Sequence, residues 1–389
     1  MDACVIVAAR RTPSGRLLGG LCGLTAPELG AAVIRAVVKD ADIRPGLVSE
    51  VIMGNVVSAG IGQNPARQAA IRAGLPVSTA ALTVNKVCAS GLKAVAIGAD
   101  AIRLGNAGAV VAGGMESMSN APFIIREMRK GRRMGDSGVI DAMVYDGLRD
   151  CCSGKHMGEL CELTVSRYGI TRKEQDAFAL SSHRKAALAA RKGLFRDEIV
   201  PVSAGGAFVS EDETIRRSTD MRRLGRLAPV FKDAGTITAG NSPGLNDGAA
   251  ALLLMTAKLA ARLKIRPLAE IIGHATAHVD PKWYPVAPVR SVKALLKKTG
   301  MRLDEFDLIE ENEAFAAQAI AVARGLSIGA ERLNVSGGAI ALGHPIGASG
   351  ARILVTLVHA LRQRGKRLGM ATLCLGGGGA MSMAVRRTS

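Results

Sequence analysis

Residues 82–104 read Leu82-Thr83-Val84-Asn85-Lys86-Val87-Cys88-Ala89-Ser90-Gly91-Leu92-Lys93-Ala94-Val95-Ala96-Ile97-Gly98-Ala99-Asp100-Ala101-Ile102-Arg103-Leu104. The opening run Leu82–Val87 predicts a buried strand. From about Cys88 the period changes, and Leu92, Val95, Ala99 and Ile102 fall on one helical face before Gly105-Asn106 stops the helix. A strand running straight into an amphipathic helix is the unit of an α/β fold. Its neighbours continue the alternation. Upstream, Val51-Ile52-Met53 is a short strand, and Asn64-Pro65 opens a helix that Gly74 ends. Thr25-Ala26-Pro27-Glu28 is a capping box ahead of Leu29, Ala32, Val33, Ala36 and Val37 at helical spacing. Downstream, Ala109–Ala112 is a strand expected to end at Gly113-Gly114.

The pattern repeats. Glu50–Asn55 matches Asp307–Asn312, and the helix after Cys88 has a counterpart after His344 carrying Ile353, Leu354, Leu357, Val358 and Leu361. Asn55 and Cys88 are 33 positions apart, and Asn312 and His344 are 32. Val110–Met118 and Thr372–Met383 share a strand-then-glycine texture. A duplicated α/β unit follows. Between the halves, residues 119–248 differ: arginine clusters surround a long helical pattern near 171–192, which reads as an inserted loop domain. The expected division is 1–118 plus 249–268, 119–248, and 269–389.

Composition bounds the function. In 389 residues, 48% are hydrophobic and 22% charged, so general disorder is excluded. Leu333–Ala351 and Leu368–Val385 are uncharged, but their dense glycines read as strand and turn rather than a membrane span. The N-terminus begins at once with a strand-like run, Ala3–Ala8, which points to a cytoplasmic protein without a secretory signal. Seven scattered cysteines fit a reducing compartment, and the adjacent Cys151 and Cys152 are given no role. A net charge of +18 attracts anions, either nucleic acid or a small phosphate-bearing molecule, or is merely solvated surface. Eleven aromatic residues leave few stacking platforms for bases, which disfavours nucleic acid. No dinucleotide fingerprint, Walker loop or histidine-pair metal motif occurs, so neither a redox cofactor nor a metal is indicated.

Four residues carry chemistry. Cys88 stands at a strand–helix junction, where free N–H groups and the helix dipole favour a thiolate; the alternative is a buried structural cysteine. His344, in Gly343-His344-Pro345-Ile346-Gly347, occupies the equivalent junction of the second half and is able to activate a thiol. Cys374 precedes Gly376–Gly379, whose backbone N–H groups suit an oxyanion. Asn312 places an amide at a strand end.

With these residues assembled, the chain resembles the thiolase family nearly end to end, and within it the biosynthetic, acetoacetyl-CoA branch. The resemblance rests on Arg11-Thr12-Pro13, Gly62–Ala69, Val84–Gly91, Ala112–Ser119, Asn246–Ala250, Asn312–Phe315, Gly337–Gly350 and Cys374–Gly379. It implies two βαβαβαββ halves in a five-layered α-β-α-β-α body with an inserted loop domain. It also implies acyl transfer between two acetyl-CoA and acetoacetyl-CoA plus CoA, with CoA as substrate and product and no tightly bound cofactor. By resemblance, Cys88 is the acylated nucleophile, His344 its base and Cys374 a second acid/base. Asn312 is similar to the residue holding a water that, with His344, forms one oxyanion hole, and the N–H groups of Cys88 and Gly376 resemble the other. Leu148, His156, Met157, Arg216, Gly244, Ala314 and Phe315 match the CoA path. Residues 119–140 resemble a tetramerisation loop, implying a homotetramer.

The chain departs from the family at Pro243, where a serine usually contacts the pantetheine, at Tyr284 beside the acyl pocket, and at Glu311. These leave open a 3-ketoacyl-CoA or 3-oxoadipyl-CoA preference. A non-catalytic acyl-CoA or lipid binder on the same scaffold is the remaining alternative.

Overall fold

A computed structural model describes residues 2–388. Strand β1 (Cys4–Arg11) leads to helix α1 (Ala26–Asp40). Helix α1 starts where its capping box predicts: the Glu28 carboxylate accepts the Thr25 N–H at 2.9 Å and its hydroxyl at 2.7 Å. Then follow β2 (Glu50–Gly54), α2 (Pro65–Arg72), β3 (Ala80–Val84), α3 (Ser90–Arg103) and β4 (Ala109–Ser117). A long excursion containing α4 (Met157–Tyr168) and α5 (Arg172–Arg191) returns to β5 (Asn246–Thr256). The second half comprises β6 (Ala269–His278), α6 (Ala287–Thr299), β7 (Leu308–Glu311), α7 (Ala316–Leu326), α8 (Ile346–Gln363), β8 (Leu368–Leu375) and β9 (Gly379–Arg387).

The strands run in the order β7-β8-β9-β6-β1-β5-β4-β2-β3. Strands β1 and β6 join only at Val5–Glu270 and Ile6–Ala269, so two mixed sheets meet along a short seam. Helices α3 and α8 lie between the sheets. Leu92, Val95 and Ile102 of the first, with Ile353, Leu357 and Leu361 of the second, share a core with Ile52, Val110 and Leu254 on one side and Leu373, Met381 and Val385 on the other. Helices α1 and α2 cover the outer face of the first sheet through Leu29, Val33, Ala66 and Ala69, against Val51, Val111 and Leu253. Helices α6 and α7 cover the second through Val292, Leu295, Val322 and Leu326, against Ile309 and Met370. The result is five layers, α-β-α-β-α, and each fully buried aliphatic side chain contributes about 1.5–3 kcal/mol. The two central helices nearly touch backbones: a Cβ on Gly91 would lie 2.9 Å from the Ala351 nitrogen, and one on Gly350 would lie 2.6 Å from the Leu92 nitrogen.

Several expectations need correction. Strand β3 is shorter than Leu82–Val87 and is not buried: it is the free edge of the sheet, with Leu82 41% exposed. Strand β4 does not end at Gly113-Gly114 but continues to Ser117. Those glycines serve close packing, since added Cβ atoms would sit 2.0 Å from the Ala250 oxygen and 2.1 Å from the Gly347 oxygen. The first half is βαβαβαββ, whereas the third strand of the second half shrinks to one bridge between Ile309 and Leu333. The strand-then-glycine match is also not structural. Val110–Met118 lies on one continuous strand into its end, while Thr372–Met383 is a hairpin turning at Gly377 (φ +76°) and Gly378 (φ +82°). Strand β5 begins at Asn246, so the expected boundary after 248 falls inside it. Among the described residues, no helix is long and apolar enough to cross a membrane.

Candidate active site

Cys88 is aimed by a strained turn between β3 and α3. Val87 has φ +49°, a left-handed conformation that costs a β-branched residue on the order of 1–3 kcal/mol. Three hydrogen bonds hold it. The Val87 N–H donates to Asn85 Oδ1 at 3.0 Å, the Lys86 N–H to Ser90 Oγ at 2.8 Å, and the Ser90 hydroxyl to the Val87 carbonyl at 2.6 Å.

His344 sits at the matching entry to α8. Its N–H donates to Asn246 Oδ1 at 2.8 Å, and its Nδ1 lies 2.5 Å from Ser349 Oγ. The Ser349 hydroxyl donates to the Pro345 carbonyl at 2.8 Å. That carbonyl only accepts, so the arrangement satisfying all three groups has Nδ1–H donating to Ser349. In the neutral ring Nε2 is then the bare nitrogen.

Cys374 is the penultimate residue of β8, and Gly376 follows the strand's end at the hairpin. The backbone N–H groups of Cys88 and Gly376 lie near enough to the Cys88 sulfur to favour its charged form. Cys88, His344, Cys374 and Gly376 line one cavity of about 400 Å³, together with Leu148, His156, Met157, Gly244, Ala314 and Phe315. Groups 256 residues apart along the chain (His344 from Cys88) thus share one wall, as the repeat implies. Asn312 does not line this cavity. It is fully buried behind Ala314, and neither side-chain amide atom has a protein partner. Arg216 is not brought to the cavity either: it is exposed, on a segment tied down by its own N–H to His183 Nδ1 at 3.2 Å and by Thr214 Oγ1 to the Ala341 carbonyl at 2.6 Å.

Burial sets the protonation. It pushes the Cys88 thiol up to about 12, opposed in part by the N–H groups of Cys88 and Gly376. It pushes Cys374 well above the usual thiol range, and the nearby Cys88 and Glu311 add to the rise. It also drives His344 down to about 4, with Arg352 adding to the effect. The expected thiolate at a helix N-terminus is therefore overridden. Desolvation outweighs two N–H dipoles, and the resting site holds two thiols and a neutral imidazole.

Phe231 escaped the sequence reading. Its ring stacks on His156 with centroids 4.6 Å apart and meets Phe315 edge-on at 5.8 Å. Gly158 leaves room for it, since a Cβ there would fall 2.4 Å from the ring. Tyr284 does line the cavity, with its hydroxyl donating to the Met157 carbonyl at 2.9 Å. Pro243 lines it as well, and beside it the buried Ser242 hydroxyl has no protein partner. Glu311 is fully buried, with one oxygen accepting from Gln318 at 2.5 Å.

The chain matches known proteins along its whole length. The family model described as the thiolase N-terminal domain matches residues 4–258, and that of the thiolase C-terminal domain matches residues 265–387. The chain is 51% identical to an acetyl-CoA acetyltransferase of Chromobacterium violaceum, over 98% of this chain and 99% of the relative. It is 51% identical to one of Pseudomonas aeruginosa over the full length of both. A crystal structure of the Bacillus anthracis acetyl-CoA acetyltransferase superposes with a TM-score of 0.97 at 40% identity, covering 100% of this chain and 99% of that one. The chain belongs to the thiolase family.

Proposed function

We propose that the protein is an acetyl-CoA C-acetyltransferase, interconverting two acetyl-CoA with acetoacetyl-CoA and CoA through an acyl-Cys88 intermediate. The observation that carries this reading is the single cavity in which two thiols, one imidazole and two converging N–H groups meet. In thiolysis, His344 Nε2 takes the Cys88 proton as the sulfur attacks the 3-keto carbon of acetoacetyl-CoA. The C–C bond breaks, its electron pair leaves as the enolate of acetyl-CoA, and the Cys374 thiol protonates that carbon. The N–H groups of Cys88 and Gly376 hold the oxygen of the acyl-Cys88 thioester as CoA attacks it. A water held by the buried Asn312 amide acts with His344 on the oxygen of the other partner. The reverse direction is a Claisen condensation in which Cys374 removes the α-proton. Each positioned acid or base contributes on the order of 10²–10⁴-fold.

CoA serves as substrate and product, with no tightly bound cofactor. Leu148, His156, Met157, Gly244, Ala314 and Phe315 form the inner part of its path, and Arg216 acts outside the cavity on its phosphates. The exposed Arg217, Arg222, Arg223 and Arg226 on the same segment support that use of positive charge. A cytoplasmic homotetramer in fatty acid metabolism is part of the proposal. Exposed Phe123, Met128 and Met134 in residues 119–140, together with the free edge of β3, support assembly. We assign residues 119–245 to the inserted loop domain.

Intact mass after mixing with acetyl-CoA tests the chemistry: one acetyl adduct is expected, lost in Cys88→Ser. No adduct favours a binding protein, and one that persists in the variant assigns the chemistry to another nucleophile; either result refutes Cys88. Comparing thiolysis of acetoacetyl-CoA with longer and dicarboxyl 3-ketoacyl-CoA tests the substrate. The bulk of Tyr284 in the cavity wall favours the short chain, and faster turnover of a longer one refutes it.

A further inference from the structure

The segment 150–155 projects from the rim of the active-site cavity as a tight loop. Arg149 and His156 pair across its base, and Asp150 N–H donates to the Lys155 carbonyl at 2.8 Å. Within it, Cys151 Sγ and Cys152 Sγ are exposed and 3.8 Å apart. In a tetrahedral zinc site, two thiolates at about 2.3 Å from the ion lie about 3.8 Å from each other. Asp150 supplies the third donor. It is only 2% exposed, and its Oδ2 accepts from the Ser153 N–H and hydroxyl, both at 2.7 Å, and from the Cys152 N–H at 3.2 Å. Its Oδ1 is buried with no hydrogen-bond partner. A carboxylate held so firmly through one oxygen is fixed in place, and no protein donor competes for the other. One ligand atom from each of the three residues lies within 4.8 Å of the others.

We propose that Asp150, Cys151 and Cys152 form a site for a thiophilic divalent ion of the zinc group. Thiolate sulfur selects soft ions over magnesium or calcium, and the carboxylate completes a three-donor set that leaves one position open. The site stands apart from the reacting sulfurs. It borders a second cavity of about 660 Å³, whose wall includes Asp150 and Cys151 and also Val87, Met157 and Gly376. An ion held there fixes the loop that leads directly into His156.

The test is a Cd²⁺ titration of the full-length protein, read by thiolate-to-metal charge-transfer absorbance. The comparison is with a Cys151→Ser/Cys152→Ser double variant, which keeps Cys88 and Cys374. One equivalent is expected to bind the unaltered protein at least about tenfold more tightly than the variant, and Asp150→Asn is expected to fall between. The exposed serine replacements leave the fold intact, and circular dichroism checks this. Equal affinity and equal absorbance in the double variant would overturn the site. Tight binding unaffected by Asp150→Asn would overturn the three-donor set.

Discussion

Replacing Ser349 with alanine separates the orientation of His344 from its mere presence. Ser349 Oγ is the acceptor 2.5 Å from His344 Nδ1, and its own hydroxyl donates a hydrogen bond to the Pro345 carbonyl. Without it the buried Nδ1–H has no protein acceptor, and the ring is free to take the tautomer that carries its proton on Nε2. That form cannot accept the Cys88 proton. Leaving one buried donor unsatisfied costs about 1–3 kcal/mol. At about 1.4 kcal/mol per tenfold, this is roughly a 5- to 150-fold loss in kcat/KM. Single-turnover acetylation of Cys88 by acetyl-CoA, followed by mass, reports the affected step, and thermal unfolding provides the control. The acetylation rate should fall by that factor while CoA affinity holds. Acetylation within twofold of the unaltered protein would refute the hydrogen-bond relay and the tautomer it implies.

Cys374→Ala should allow acetylation of Cys88 yet slow acetoacetyl-CoA thiolysis by about 10²–10⁴-fold, measured by loss of substrate absorbance. Phe231→Ala removes the stack on His156 at 4.6 Å, worth about 0.5–1.5 kcal/mol beyond burial. It should raise KM for acyl-CoA roughly 2- to 13-fold, with kcat less affected. Gly350→Ala forces a Cβ to 2.6 Å from the Leu92 nitrogen and should destabilise by about 1–3 kcal/mol or more, read by denaturant unfolding. Burial raises Glu310 from the ordinary 4.5 to about 8. Its folded-state contribution is therefore whole below pH 4.5 and is lost as pH rises through about 8. Glu310→Gln mimics the protonated form, so its stability relative to the unaltered chain should climb over that window; a pH-independent difference would contradict the assignment.

Much of the architecture could be read from local chemistry. The capping box at Thr25, the Asn64-Pro65 start and the 3.6-residue stripes of α3 and α8 each rest on neighbours in sequence, and each stands where expected. Reading failed where distant backbone decides. Gly113 and Gly114 look like a strand terminator, yet they admit the carbonyls of Ala250 and Gly347, contacts that no local pattern encodes. The edge position of β3 and the lost third strand of the second half depend on sheet order. At the site, junction logic paired Cys88 with His344, and the glycine run after Cys374 marked the second thiol; all three line one cavity. That logic missed the sign of the thiol shift, because a helix terminus is a sequence feature and desolvation is not. Phe231 lies in no motif, and only the missing side chain at Gly158 hints at a ring above it.

The near-contact of Gly91 with Ala351 and of Gly350 with Leu92 locks the two halves back to back. A molecule bolted through its middle cannot open like a book. Traffic of a long nucleotide-tailed thioester must therefore pass through the excursion segments above the cavity, while the floor beneath stays still. It follows too that neither half alone possesses half of the activity. The place where carbon–carbon bonds would be made comes into being only when both bolts are driven home.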